Sequence, residues 1–221
     1  MFKSMKKIFI AVDTTDLKKA KKIINQSQIK KIKIGYKFGL EFMNSKKGRH
    51  FVSKLRNKVI FVDLKLNDTV NTMLSAVKAL KDLKIDYLTV HISSGLKALR
   101  AVKKVSGSIK IVGVSTLTSL DDRDLKLIGY NKSVKKLVAH QAKLARLASL
   151  DALVCSPFEV SVVRKVFKKE IITPGVQIGK KNYDQKRSME AKKVNSDWLV
   201  IGRSITQGNV KKNIQKLIKS I

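Results

Sequence analysis

Acidic, cysteine, proline and aromatic residues are all scarce in this chain. Only 16 of its 221 residues are Asp or Glu, against 48 Lys and Arg, for a formal charge of +32. The single cysteine, Cys155, excludes an internal disulfide and fits a reducing, cytoplasmic setting, where it reads as a small buried hydrophobe beside a strand. With two prolines, 43% hydrophobic and 29% charged residues, and no linker or charge block, residues 1–221 are expected to form one globular domain. No apolar run approaches the roughly 18 residues of a membrane span. The start MFKSMKKIFIAVD imitates a secretion signal, but its apolar stretch Ile8–Val12 stops at Asp13, short of the roughly 7–15 apolar residues such a signal needs.

The basic excess invites a nucleic-acid or acidic-membrane reading. Arginine is what that reading lacks. Eight of the 48 basic residues are Arg, whereas specific phosphate and base recognition leans on the planar guanidinium fork. The lysines lie along the whole chain, as at Lys18, Lys19, Lys21 and Lys22, at Lys135 and Lys136, and at Lys211 and Lys212. They carry no interleaved aromatics on which bases would stack. A solvated lysine-rich surface is expected, with no nucleic acid and no membrane as partner. A basic nucleic-acid-binding protein stays open as the alternative from another class.

What is present is an alternation. Short β-rich runs at Ile8–Val12, Lys31–Gly35, Val59–Leu64, Tyr87–His91, Ile109–Val114, Ala152–Cys155, Ile171–Thr173 and Trp198–Ile201 read as strands. Amphipathic segments stand between them at Leu17–Asn25, Thr69–Leu83, Leu96–Val105, Val134–Leu150 and Pro157–Phe167, with a last one near Val210–Ile218. Strands that are apolar on both faces, each followed by a helix, call for a parallel sheet. Eight such units in this length predict an α/β fold, a single (β/α)8 TIM barrel, with an open doubly wound sheet as the alternative.

In such a barrel chemistry gathers where strands end and the following loops begin, and there the sequence turns polar. The first strand ends in Asp13 and the second contains Lys33. The third runs into Asp63-Leu64-Lys65-Leu66-Asn67-Asp68, and the fourth ends in His91, read as structural. Asp63 and Lys65, two apart on one strand, point to the same face. A half-buried carboxylate and ammonium need partners, and Lys33 and Asp68 are the candidates to complete an alternating Lys-Asp-Lys-Asp array. A structural ion-pair network at the rim is the other reading of the same spacing. No His, Cys and carboxylate cluster has metal-ligand spacing.

The longer string from Asp63 to Thr72 resembles the signature of the orotidine 5'-phosphate decarboxylase family, bacterial type: Asp-x-Lys-x-x-Asp followed by Asn-Thr. The resemblance keeps its order through Ala11-Val12-Asp13, Lys33-Ile34-Gly35, Val90-His91, Leu117-Thr118-Ser119, Val154-Cys155-Ser156, Thr173-Pro174-Gly175, Asp184-Gln185 and Val200 to Thr206. It implies a cofactor-free carboxy-lyase that converts orotidine 5'-phosphate to UMP in pyrimidine synthesis. Lys65, kept protonated between Asp63 and Asp68, would be the proton donor to C6. Asp13 and Lys33 would hold the ribose hydroxyls, Thr118 and the backbone near Pro174 the pyrimidine, and Gln185, Gly202 and Arg203 the 5'-phosphate. It also implies a homodimer in which Asp68 and Thr72 complete the neighbouring site.

Three departures stand out. Asn67-Asp68-Thr69-Val70 replaces the frequent His-Asp-Ile-Pro, Gln177 stands where many bacterial members have Arg, and Lys180 and Lys181 of a lid at Ile178–Tyr183 are candidates to supply that charge. The same-superfamily rival is a Mg2+-dependent sugar-phosphate decarboxylase or hexulose-phosphate synthase. Those enzymes place an acidic ligand on the second strand, where Lys33 would repel the metal.

Overall fold

The computed structural model describes residues 7–177 and 189–220. Eight parallel strands close on themselves: β1 (Lys7–Ala11), β2 (Lys33–Gly39), β3 (Val59–Leu66), β4 (Tyr87–His91), β5 (Lys110–Val114), β6 (Ala152–Val154), β7 (Glu170–Thr173) and β10 (Trp198–Ile201), with β1 against both β2 and β10. A two-stranded parallel pair, β8 (Val176–Gln177) and β9 (Met189–Glu190), lies outside the barrel and was not expected from the sequence. The open-sheet alternative is thereby excluded.

The helices follow the amphipathic segments closely: α1 (Leu17–Gln26), α4 (Val70–Ala79), α5 (Gly95–Val105), α7 (Val134–Leu147), α8 (Val160–Val166) and α10 (Val210–Ser220). Their apolar stripes pack on the outward strand residues and form the larger core, which includes Ile8, Ile10, Val77, Leu99, Val138 and Ile214. The pieces missed by periodicity are the short ones, α2 (Leu40–Met43), α3 (Gly48–Lys54), α6 (Asp122–Leu127) and α9 (Arg203–Thr206), too brief to show a 3.6-residue repeat.

The second strand corrects the expectation. It begins two residues later than Lys31 and continues to Gly39. Gly35 reads as a terminator in sequence, but it sits opposite Phe9 inside the barrel, where a Cβ would lie 2.5 Å from the Phe9 ring. Glycine is there to admit an aromatic ring. That ring stacks on Trp198 with centroids 4.0 Å apart and joins Phe61, Tyr87, Val112 and Ile172 in the barrel interior.

The few acidic residues are spent on strand register and on closing the barrel floor. Asp86, Asp151 and Asp197, each next to the start of a strand, accept backbone N–H bonds from Ile60, Ile111 and Ile171 of the neighbouring strand. At the N-terminal end of the barrel, Glu170 accepts from Lys7 (3.1 Å), Lys110 (3.1 Å), the Tyr87 hydroxyl (2.8 Å) and Trp198 Nε1 (3.2 Å). Burial opposes its ionisation, but the hydrogen bonds from Tyr87, Lys110 and Lys7 and the Lys110 charge outweigh burial and bring its carboxyl from an ordinary 4.5 down to about 2. The same contact pushes the Tyr87 hydroxyl up to about 12, burial and Glu170 acting together.

A folded-state value below the unfolded one stabilises the fold above about pH 4.5, and that stability is lost as pH falls toward about 2. Glu170→Gln should therefore lower stability at pH 7 by on the order of 2 kcal/mol, or roughly 4–8 °C in melting temperature. The gap from wild type should close as thermal melts are taken from about pH 4.5 toward pH 2. A pH-independent gap would assign Glu170 a packing role instead.

Candidate active site

The opposite, C-terminal end of the barrel opens into a cavity of about 300 Å3. Inward positions of adjacent strands deliver charge to it in a row. Asp13 follows β1, Lys37 lies on β2, and Asp63 and Lys65 lie on β3. Lys37 Nζ is 3.4 Å from Asp13 Oδ1 and 3.5 Å from Asp63 Oδ2, and Lys65 Nζ is 3.0 Å from the same Asp63 oxygen. An alternation of carboxylate and ammonium is present, but its members differ from the expected ones: the second-strand lysine is Lys37 and not Lys33, and the second carboxylate is Asp13 and not Asp68.

The physical reason is the length of β2. Lys33, Gly35, Lys37 and Gly39 share the inward face, and the strand enters the barrel at Lys33, which pairs with Lys7 on the floor. Lys33 Nζ accordingly lies 5.9 Å from the Trp198 ring centre, beneath the aromatic layer. Lys37, two pleats further on, reaches the mouth. Reading the strand as ending at Gly35 had put the wrong lysine there.

Asp63 and Lys37 are each only 13% exposed at the side chain, and Lys65 is 34% exposed. Burial alone would raise the Asp63 carboxyl. The charges of Lys37 and Lys65, with hydrogen bonds from Lys65 and Thr89, overcome this and hold it below the ordinary carboxylate value. His91, at the end of β4, is shifted the other way: burial and the Lys65 charge lower it, with Asp63 opposing.

Lys65 itself has φ +49°, in the left-handed region, at a place where the β3–β4 register shifts. Non-glycine residues reach that conformation at a cost, and such strain gathers at functional sites.

Across the cavity stand Thr118 after β5, Pro174 after β7, and Gly202 and Arg203 after β10. Gly202 leaves the backbone turn bare, since a Cβ there would meet only Ala11 and Asp13 at ordinary contact distances. Asp68 and Thr72 do not line this cavity. Both are exposed, Asp68 Oδ1 accepts from the Thr69 amide, and the Thr72 hydroxyl pairs with that of Thr69. Gln185 and the lid lysines Lys180 and Lys181 lie outside the described residues. Gln177 lines the cavity and is buried.

A family model described as Orotidine 5'-phosphate decarboxylase / HUMPS family matches residues 6–217. The chain belongs to that family. Among relatives it is 40% identical to an orotidine 5'-phosphate decarboxylase of Wolbachia pipientis over 98% of this chain and 99% of the relative. It is 36% identical to one from Prochlorococcus marinus, strain MIT 9215, over 100% and 97%. The crystal structure of the Lactobacillus acidophilus orotidine 5'-phosphate decarboxylase superposes with a TM-score of 0.82 at 26% identity, covering 97% of this chain and 98% of that one. That of Methanocaldococcus jannaschii, complexed with inhibitor BMP, superposes with a TM-score of 0.78 at 21% identity, over 98% of both chains, and carries the likeness of fold.

For this orotidine 5'-phosphate decarboxylase / HUMPS family member, sequence reasoning found Asp13, Asp63, Lys65, Thr118, Pro174, Gly202 and Arg203 at the mouth and missed Lys37 and Thr89. Lys37 carried a signal, the inward parity of 33, 35, 37 and 39. Thr89 carried none, because a threonine inside a strand reads as a strand former. Among the described residues no group of three or more His, Cys, Asp and Glu is placed to hold a metal ion, and no helix is long and apolar enough to cross a membrane.

Proposed function

We propose that this chain converts orotidine 5'-phosphate to UMP and CO2 without a cofactor. The observation that carries the reading is the row Asp13, Lys37, Asp63, Lys65 at the mouth, with Gly202 and Arg203 across the same cavity. Breaking the bond between C6 and the carboxylate leaves an electron pair on a ring carbon that has no cofactor to receive it. A fixed positive charge must meet it there. Lys65, ion-paired to an ionised Asp63, supplies that charge and then gives its proton to C6, to be replaced from water. Asp63 sits beside the departing carboxylate. Asp13 and Lys37 hold the ribose hydroxyls, and Thr118 and the Pro174 backbone hold the pyrimidine. Arg203 and the open turn at Gly202, with Gln185, take the 5'-phosphate, at the loops after the last strands where this fold commonly binds phosphate. Binding energy from that remote phosphate favours closure over the reacting carbon.

The working unit in this reading is a cytoplasmic homodimer in which Asp68 and Thr72 reach the neighbouring site. The sugar-phosphate alternative requires a divalent cation among these carboxylates. The Lys37 ammonium, 3.4 and 3.5 Å from Asp13 and Asp63, already stands between them and would repel it. Decarboxylation of orotidine 5'-phosphate is therefore expected to proceed at an unchanged rate in EDTA. Activity that EDTA abolishes and Mg2+ restores would replace this reading with the metal-dependent one.

A further inference from the structure

The β3–β4 ladder has a defect beside the reacting lysine. Val62 pairs with Leu88 and Leu66 with Val90, so four residues of β3 advance against two of β4. The bulge leaves Lys65 at φ +49°, and its backbone N–H donates to the Thr89 hydroxyl at 2.7 Å. That hydroxyl donates in turn to Asp63 Oδ1 at 3.0 Å. Asp63 Oδ2 receives Lys65 Nζ at 3.0 Å, so a ring closes from the Lys65 amide through Thr89 and Asp63 back to the Lys65 ammonium. An amide can only donate and an ionised carboxylate only accept, which fixes the direction of the single hydroxyl proton. Thr89 is fully buried and β-branched, so its rotamer is stiff.

We infer that Thr89 is a positioning residue for the reaction, its hydroxyl setting the backbone of Lys65 and the carboxylate of Asp63 together and so aiming the ammonium at the reacting carbon. The inference rests on the decarboxylase reading of the mouth. Glycine would relieve the backbone at position 65 but has no ammonium. The chain instead keeps a lysine in an unfavourable conformation and supplies a hydroxyl to hold it there.

The test compares Thr89→Val, which keeps shape and loses the hydroxyl, with Thr89→Ser, which keeps the hydroxyl, in the full chain. Thr89→Ala, free of the second methyl, is the companion should the valine pack poorly. Val and Ala are expected to lower kcat by about 10–100-fold with KM within about twofold, while Ser stays within about threefold of wild type. Exchange of the Lys65 amide with D2O should speed up in Val and Ala and not in Ser. Retention of kcat in both Val and Ala, or a Ser variant as slow as they are, overturns the inference. Wild-type protein without any turnover of orotidine 5'-phosphate would instead remove the decarboxylase reading, and the amide exchange would still judge the ring.

Discussion

Lys65→Ala should lower kcat for orotidine 5'-phosphate by at least about 10⁴-fold, since it removes an electrostatic contact worth roughly 10²–10³ and a proton donor worth roughly 10²–10⁴. KM should change little, because the phosphate and ribose contacts lie on other strands. The loss should not come from unfolding. Lys65 occupies a left-handed conformation at φ +49°, so Lys65→Gly, which loses the ammonium but relieves the backbone, is expected to melt no lower than Lys65→Ala while equally inactive. A Lys65→Gly protein that melts far below wild type would make the lysine a structural support. A Lys65→Ala protein within about tenfold of wild-type turnover would take it out of the chemistry.

Mixing two dead proteins should restore about a quarter of wild-type activity. Asp68 is exposed beyond the end of β3, bonds to its own loop at the Thr69 amide, and among the described residues forms no ion pair. In the proposed homodimer a side chain so placed can cross the two-fold interface, where contacts would be isologous and each dimer would have two shared sites. Lys65→Ala and Asp68→Ala homodimers would each be lesioned at both sites. A heterodimer gathers both lesions into one site and leaves the other intact. Random exchange makes about half the dimers mixed, each with one working site. Activity no greater than the sum of the two separate mutants would place Asp68 within its own chain's site.

How far the residues speak before any coordinates can be judged from the second and third strands. Asp63 and Lys65 are legible because a strand's two-residue period puts them on one face whatever the exact strand ends. Lys33 against Lys37 is not legible in the same way, because both have inward parity and only the strand's limits separate floor from mouth. Gly35 looks like a strand end but lies inside the strand, where it makes room for Phe9, a contact between strands that no local pattern displays. The Lys65 bulge and the hydroxyl of Thr89 are hidden for a related reason: a register shift belongs to two strands at once. The barrel itself was legible, since each apolar run and each long amphipathic helix states its own period. Glu170 as the closing group of the floor was not, because its four donors come from four other strands.

The most direct measurement is product analysis with metal-free protein: orotidine 5'-phosphate consumed, UMP formed and CO2 released, followed together in EDTA. The expected result is equal molar amounts of all three with wild-type protein, and no formation above the uncatalysed background with Lys65→Ala. No UMP from folded wild-type protein would contradict the decarboxylase assignment, as would UMP formation undiminished in Lys65→Ala.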